Sequence, residues 1–288
     1  MRRKKMGWFD YLNIIFLFIM ISVCLYPFIY MINVSLSENI YVLQNSVTFW
    51  PKGFNLDNYK VVLSDHRIWS GYKNTILYVV LGTFISMSVT SMGAYALSRP
   101  MVFKKTITMF MVFTMLFQGG MIPTFLVVKE LHLLDTIWAM VLPGAVSVWN
   151  LIIMRTFFKG IPKDLIESAK IDGLNDMGVF IRIILPLSKP VLATISLFYA
   201  VALWNNFMFP LLYLNKESLY PLTVIIRNLV LEGQFQNSAI TGSSGGDAII
   251  DESFKFATII VSTLPILLFY PFIQKYFVKG VMIGSVKE

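Results

Sequence analysis

Few side chains in this 288-residue sequence are suited to bond-making chemistry. The two histidines, His66 and His132, have no second ligand at helical spacing and no His-Glu-x-x-His pattern, so a zinc site has no support. Cys24 is the sole cysteine, which excludes an internal disulfide and a multi-cysteine metal site. A phosphate-cradling Gly-x-x-x-x-Gly-Lys-Ser/Thr loop is missing too. The nearest pattern, Gly173 to Gly178, is followed by Val179 and so lacks the lysine. No catalytic residue is expected, and any ATP that drives this chain must be hydrolysed elsewhere.

Recognition chemistry is better represented. Gln118, Asn150, Asn205 and Asn206 are neutral amides within apolar sequence, with Trp149, Trp204, Phe207 and Phe209 beside them. Amides next to aromatic faces suit an uncharged, hydroxyl-rich solute held by hydrogen bonds and stacking. Gln118, Asn150, Trp204, Asn205 and Asn206 are therefore the candidate translocation path. The competing reading is that the amides only bridge helices, at about 0.6 kcal/mol each.

The elements carrying these residues follow from where charge is missing. The chain is 56% hydrophobic and 14% charged, with a mean hydropathy of +0.68, too few charges for a water-facing shell. Six stretches hold no Asp, Glu, Lys or Arg: Tyr11–Ser37, Asn74–Ser98, Thr106–Val128, Thr136–Met154, Pro190–Asn215 and Phe256–Gln274. Even the shortest, at 19 residues, approaches the ~30 Å hydrocarbon thickness at ~1.5 Å per residue. The reading is an all-α membrane protein with six transmembrane helices. The first stretch continues through Cys24, Tyr26, Pro27, Phe28 and Tyr30 without an Ala-x-Ala-like site, so a retained helix is expected in place of a cleaved signal peptide.

Counting Lys and Arg by alternate loops gives 16 on the side of the N-terminus, the second loop, the fourth loop and the C-terminus, against 8 on the other. The first set is expected to face the cytoplasm, with both termini inside. Topology and anionic headgroups account for the net charge of +8, so no nucleic-acid partner is expected. The membrane-buried stretches contain no ionisable group, which weighs against a carrier driven by protons or sodium. Gly119, Gly120, Pro123, Pro143, Gly144, Pro210, Pro265 and Pro271 interrupt the third to sixth stretches, as suits a pathway. Gly and Pro are also simply commoner in membrane helices.

The fourth loop, residues 155–189, is too long for a turn. Pro162 suits a helix start, Ile161, Leu165 and Ala169 recur at helical spacing, and Gly173 closes the helix. Asn175 and Asp176 open a second helix running to Leu185, just before Pro186. Such a projecting helix–Gly–helix unit is a docking surface for something cytoplasmic.

Glu167-Ser168-Ala169-Lys170-Ile171-Asp172-Gly173, followed by Ile184-Leu185-Pro186-Leu187 and Pro190, resembles the EAA motif of ABC importer permeases. Trp204-Asn205 and Phe209-Pro210-Leu211 extend the resemblance to the carbohydrate uptake branch, the MalG- and LplC-like inner-membrane components of binding-protein-dependent transport. It covers most of the chain, with Ser168 a departure where the family often has Ala.

The resemblance implies a type I ABC importer permease fold with a cytoplasmic EAA coupling hairpin. It implies a permease of a bacterial cell (inner) membrane that moves a sugar, such as an oligosaccharide, by alternating access. The implied partners are a second homologous permease, a cytoplasmic ABC ATPase dimer, a solute-binding protein outside, the carbohydrate and the bilayer. No cofactor is expected in this chain, ATP and Mg being held by the ATPase. Glu167, Ser168, Ala169, Asp172, Gly173 and Pro186 fall on the ATPase-coupling positions. The expected layout is a cytoplasmic N-terminus over 1–10, a first span with external loop over 11–73, the transmembrane domain over 74–277, and a cytoplasmic tail over 278–288.

Gly242, Ser243, Ser244, Gly245 and Gly246 lie in the loop that the resemblance places opposite the binding protein; by composition alone they are a flexible linker. A different class of function also fits the residues: a membrane scaffold that docks a cytoplasmic partner through 155–189 and moves no solute.

Overall fold

A computed structural model describes residues 7–117, 119–240, 252–265 and 267–268, and among them every regular element is a helix. Two compact units result, one drawn from Met1–Ile68 and Ile226–Ile266 and the other chiefly from Trp69–Ile225. Gln118 and Gly242 to Gly246 lie outside the described residues, as do the basic N-terminus and the tail.

The first helix, Trp8–Ser35, is apolar on all sides, as a membrane solvent demands. Its start is closed by the Gly7 N–H donating to the Asp10 carboxylate at 2.8 Å. At its far end Val34 packs with Val42 and Val47, and Tyr30 meets Phe256 edge-on at 6.1 Å. The second helix, His66–Ser98, starts eight residues before the charge-free run, with Asp65 accepting the Arg67 N–H at 2.8 Å. Its glycines let neighbouring helices come close: a Cβ on Gly82 would come within 2.7 Å of Leu203, and one on Gly93 within 3.3 Å of Leu151.

The third, fourth and fifth expected spans are broken. Lys104–Leu116 gives way to Met121–Glu130 around Gly120, whose φ of +86° favours glycine. The fourth stretch is not continuous: Ile137–Val141 and Val148–Lys159 flank Pro143 and Gly144, and Ser147 restarts the helix by accepting the Asn150 N–H at 3.4 Å. In the fifth, Lys189–Trp204 and Met208–Tyr213 part at residues 205–207 and not at Pro210. Pro210 is the third residue of its helix, where a missing N–H has no intrahelical partner to lose. Among the described residues, two helices are long and apolar enough to cross a membrane, or four if each sharply bent pair is one span. Residues 256–265 and 267–268, all helical, form the described part of the sixth stretch.

Polar groups knit the second unit together. Asn74 donates to the carbonyls of Ser218 and Tyr220 at 2.8 and 3.1 Å, and the Thr75 hydroxyl accepts the Leu222 N–H at 2.9 Å. Deeper in, the buried Tyr199 hydroxyl accepts the Ser147 N–H at 3.0 Å and pairs with the buried Thr90 hydroxyl at 2.7 Å. One phenol thus joins the second helix, the restart of the fourth and the fifth. Tyr199→Phe orphans the Ser147 N–H and should cost about 1–2 kcal/mol, above the ~0.6 kcal/mol average for hydrogen bonds between membrane helices. Thermal unfolding of the purified assembly checks this; an unchanged midpoint would show that Ser147 finds another acceptor.

Candidate functional site

The hairpin is built from short-range rules. Its first helix, Lys163–Ile171, ends in a Schellman motif: Gly173 N–H reaches Lys170 O and Leu174 N–H reaches Ala169 O, both at 3.0 Å. Gly173 has φ +84°, as this closure requires. Asn175 then caps Asp176–Val179 by accepting the Gly178 N–H at 2.8 Å. Across the turn Lys170 Nζ meets Asp176 Oδ1 at 2.8 Å. That hydrogen bond holds the Asp176 carboxyl below its usual range and raises Lys170. A lowered carboxylate pKa means the pair is intact at neutral pH and is lost only as pH falls through that acidic value. Both groups are solvated, so it orients the turn without contributing much stability.

The expectation that the second helix stops at Leu185 is not met. It runs on to Leu187 through a π-helical turn, Phe180–Ile184, in which Leu185 N–H bonds Phe180 O. Pro186 has no N–H to offer the carbonyl four residues back, and the widened turn just before it accommodates that loss. The chain then bends by 85° at the buried Ser188 into Lys189–Trp204.

One face of the hairpin is fixed to the spans. Ile166 and Ala169 are buried in the same core as Ala94, Leu97, Leu151, Met154, Ile184 and Tyr199. The Tyr95 ring lies 5.0 Å from Phe180, and its hydroxyl donates to Asp176 O at 3.3 Å. The other face has no cover: Glu167, Ser168, Asp172, Gly173 and Pro186 are exposed, and Ile171 is 86% exposed. Of the six coupling positions, then, Ala169 points inward and the other five are exposed, with Ile171, Leu165 and Met177 adding exposed apolar area.

The amides are less of a group than their sequence neighbourhood suggested. Asn150 is buried in the first turn of its helix, next to the Ser147–Tyr199 contact, whereas Trp149 is exposed. Asn205 and Asn206 occupy the break in the fifth stretch, after Trp204 ends the preceding helix. Asn205 Nδ2 bonds Val201 O at 2.9 Å, and Asn206 O accepts from the Thr223 hydroxyl at 2.9 Å. Among the described residues no hydrogen bond joins Asn150 to Asn205 or Asn206. Ser147 and Tyr199 carry no local signal in the sequence beyond polarity in an apolar run, and Thr90 reads there only as one small residue among many.

The helical architecture is shared with known proteins. Residues 68–283 match the family of binding-protein-dependent transport system inner membrane components. The chain belongs to this family. It is 44% identical over 280 residues to the polygalacturonan/rhamnogalacturonan transport system permease protein YtcP of Bacillus subtilis (strain 168), covering 97% of this chain and 98% of that protein. It is likewise 44% identical over 281 residues to the protein LplC of the same organism, with 97% and 95% covered. A chain in the crystal structure of a bacterial ABC transporter involved in the import of the acidic polysaccharide alginate superposes with a TM-score of 0.87 at 32% identity, covering 96% of this chain and all of that one.

As a family member the chain is the permease subunit of an ABC importer in a membrane, working with a solute-binding protein and an ATPase. Gly173 is the sharpest test of its hairpin. A Cβ there would meet nothing within 4 Å, so substitution is opposed by the backbone alone. Gly173→Val should cost at least ~1 kcal/mol and abolish uptake with membrane insertion intact, while Gly173→Asn, tolerant of positive φ, should keep most of it. Vesicle uptake beside membrane abundance reads this; equal uptake by Val and Gly would contradict it.

Proposed function

We propose that this chain is one half of a heterodimeric permease that imports an oligosaccharide by ATP-driven alternating access. The observation that carries the reading is the two-sided hairpin. Its inner face, Ile166 and Ala169, is fused to the core of the spans, while Glu167, Asp172, Gly173 and Ile171 are left uncovered. A surface that is rigid behind and open in front transmits force. In this reading the ATPase dimer, which holds ATP and Mg, grips that face, and closure of the dimer tilts the spans from inward-facing to outward-facing. The basic side of the membrane is cytoplasmic, both termini lie inside, and Gly242 to Gly246 approach the binding protein outside.

The breaks at residues 142–147 and 205–207 support a pathway, because irregular backbone at membrane depth is tolerated where it is buried in protein or lines a cavity. Asn150, Trp204, Asn205 and Asn206 would meet sugar hydroxyls there. YtcP is named for uronate-rich polymers and the solved transporter imports alginate, so oligosaccharides from such polymers are the first solutes to try. No cation lies in the charge-free stretches of this chain to pair with a uronate carboxylate. Recognition of that charge would fall to the second permease or the binding protein.

Co-expression with the neighbouring subunits should yield two different permeases and two ATPase copies, and reconstituted vesicles should take up labelled oligosaccharide only with ATP and the binding protein present. Transport by an assembly lacking any second permease would defeat the heterodimer. A stable assembly that takes up no solute tried would favour a scaffold.

A further inference from the structure

Two cations, Lys104 and Arg155, reach the C-terminal end of the long second helix. Lys104 Nζ donates to Arg99 O at 3.0 Å and Arg155 Nε donates to Leu97 O at 3.1 Å. Carbonyls at a helix C-terminus have no intrahelical partners and carry partial negative charge, so they draw both cations in. The charges of Arg155 and Lys159 act on Lys104, and Lys105 is its neighbour in sequence. Among the described residues, no ion pair links any of these four cations to a carboxylate. Lys104, Arg155 and Lys159 are thus like charges within electrostatic reach of one another, with Lys105 next to Lys104 at the start of the helix Lys104–Leu116.

Along the helix Lys104–Leu116 lies an apolar surface recess of about 360 Å³, lined by Lys105, Thr106, Met109, Phe110 and Phe113. Met109 and Phe110 are 72% and 66% exposed. From Lys105 to Phe113 the helix rises about 12 Å, close to the ~15 Å depth of one leaflet. A cationic mouth at one end of an apolar trough of leaflet length matches an amphiphile with an anionic head. A protein surface seated there would have to bring acidic groups to one end and a hydrocarbon-like ridge to the other.

We propose that Lys104, Lys105, Arg155 and Lys159 hold the phosphate of one anionic phospholipid of the cytoplasmic leaflet, with an acyl chain lying over Met109, Phe110 and Phe113. The leaflet rests on the orientation given above; the binding itself does not depend on transport. The lipid would brace the second and fourth loops where the coupling hairpin begins, since Arg155 and Lys159 belong to the helix that leads into it. Basic pockets between membrane helices on the cytoplasmic side commonly bind such headgroups.

Native mass spectrometry of the whole importer, offered phosphatidylglycerol and phosphatidylcholine with identical acyl chains, tests this independently of uptake. The wild type should retain phosphatidylglycerol with roughly tenfold preference, and Lys105→Glu/Lys159→Glu should abolish that preference without loss of subunits. If charge reversal prevents assembly, Lys105→Gln/Lys159→Gln should still weaken it several-fold. Inorganic phosphate should fail to displace the lipid, because the groove contributes to binding. Equal retention of the two lipids, or retention unaltered in both double variants, would overturn the proposal. So would efficient cross-linking of Phe110→Cys, on a Cys24→Ser background, to the second permease, since the groove would then be covered by protein.

Discussion

The burial of Ile166 and Ala169 in the same core as Ala94, Met154 and Ile184 is the constraint on which the rest depends. A hairpin joined to the spans only by loops would move independently of them. Here, displacing it means opening a close-packed apolar core, in which each large-to-small change costs about 2–5 kcal/mol. The coupling surface and the membrane helices of the second unit therefore move as one body in the proposed mechanism. Tyr95 reinforces the joint by packing its ring, tilted, against Phe180 and donating to the backbone of the second hairpin helix.

Around that rigid joint the membrane part is deliberately irregular. The breaks at Gly120, at Pro143–Gly144 and at residues 205–207 each leave backbone groups that hydrocarbon cannot satisfy. The protein meets part of that demand internally: Ser147 caps the restarted helix, Tyr199 takes the Ser147 N–H, and Thr223 reaches the Asn206 carbonyl. Polar side chains in the spans are thus first of all partners for broken backbone. Any role toward solute is added to that structural one.

The hairpin was legible because its rules are local: Gly173 needs positive φ, and Asn175 caps within three residues. Features set by distant partners or by tolerance were not. The second helix begins at His66 because Asp65 closes it, although Arg67 and Lys73 end the apolar run early. Pro210 proved harmless because the first turn of a helix needs no N–H, and the helix beyond Pro186 continued because a π turn absorbs the missing bond. The Tyr199 contact spans residues 90 to 199, a separation that periodicity cannot see.

The most direct test of the central claim is proximity of the open hairpin face to the ATPase in the assembled importer. Glu167→Cys on a Cys24→Ser background places a lone thiol on that face. In inside-out vesicles a short bifunctional reagent should link it to the ATPase subunit in high yield, and an impermeant thiol reagent should leave it unlabelled in intact cells. Labelling from outside, or failure to cross-link in a complex that hydrolyses ATP and transports, would contradict the account.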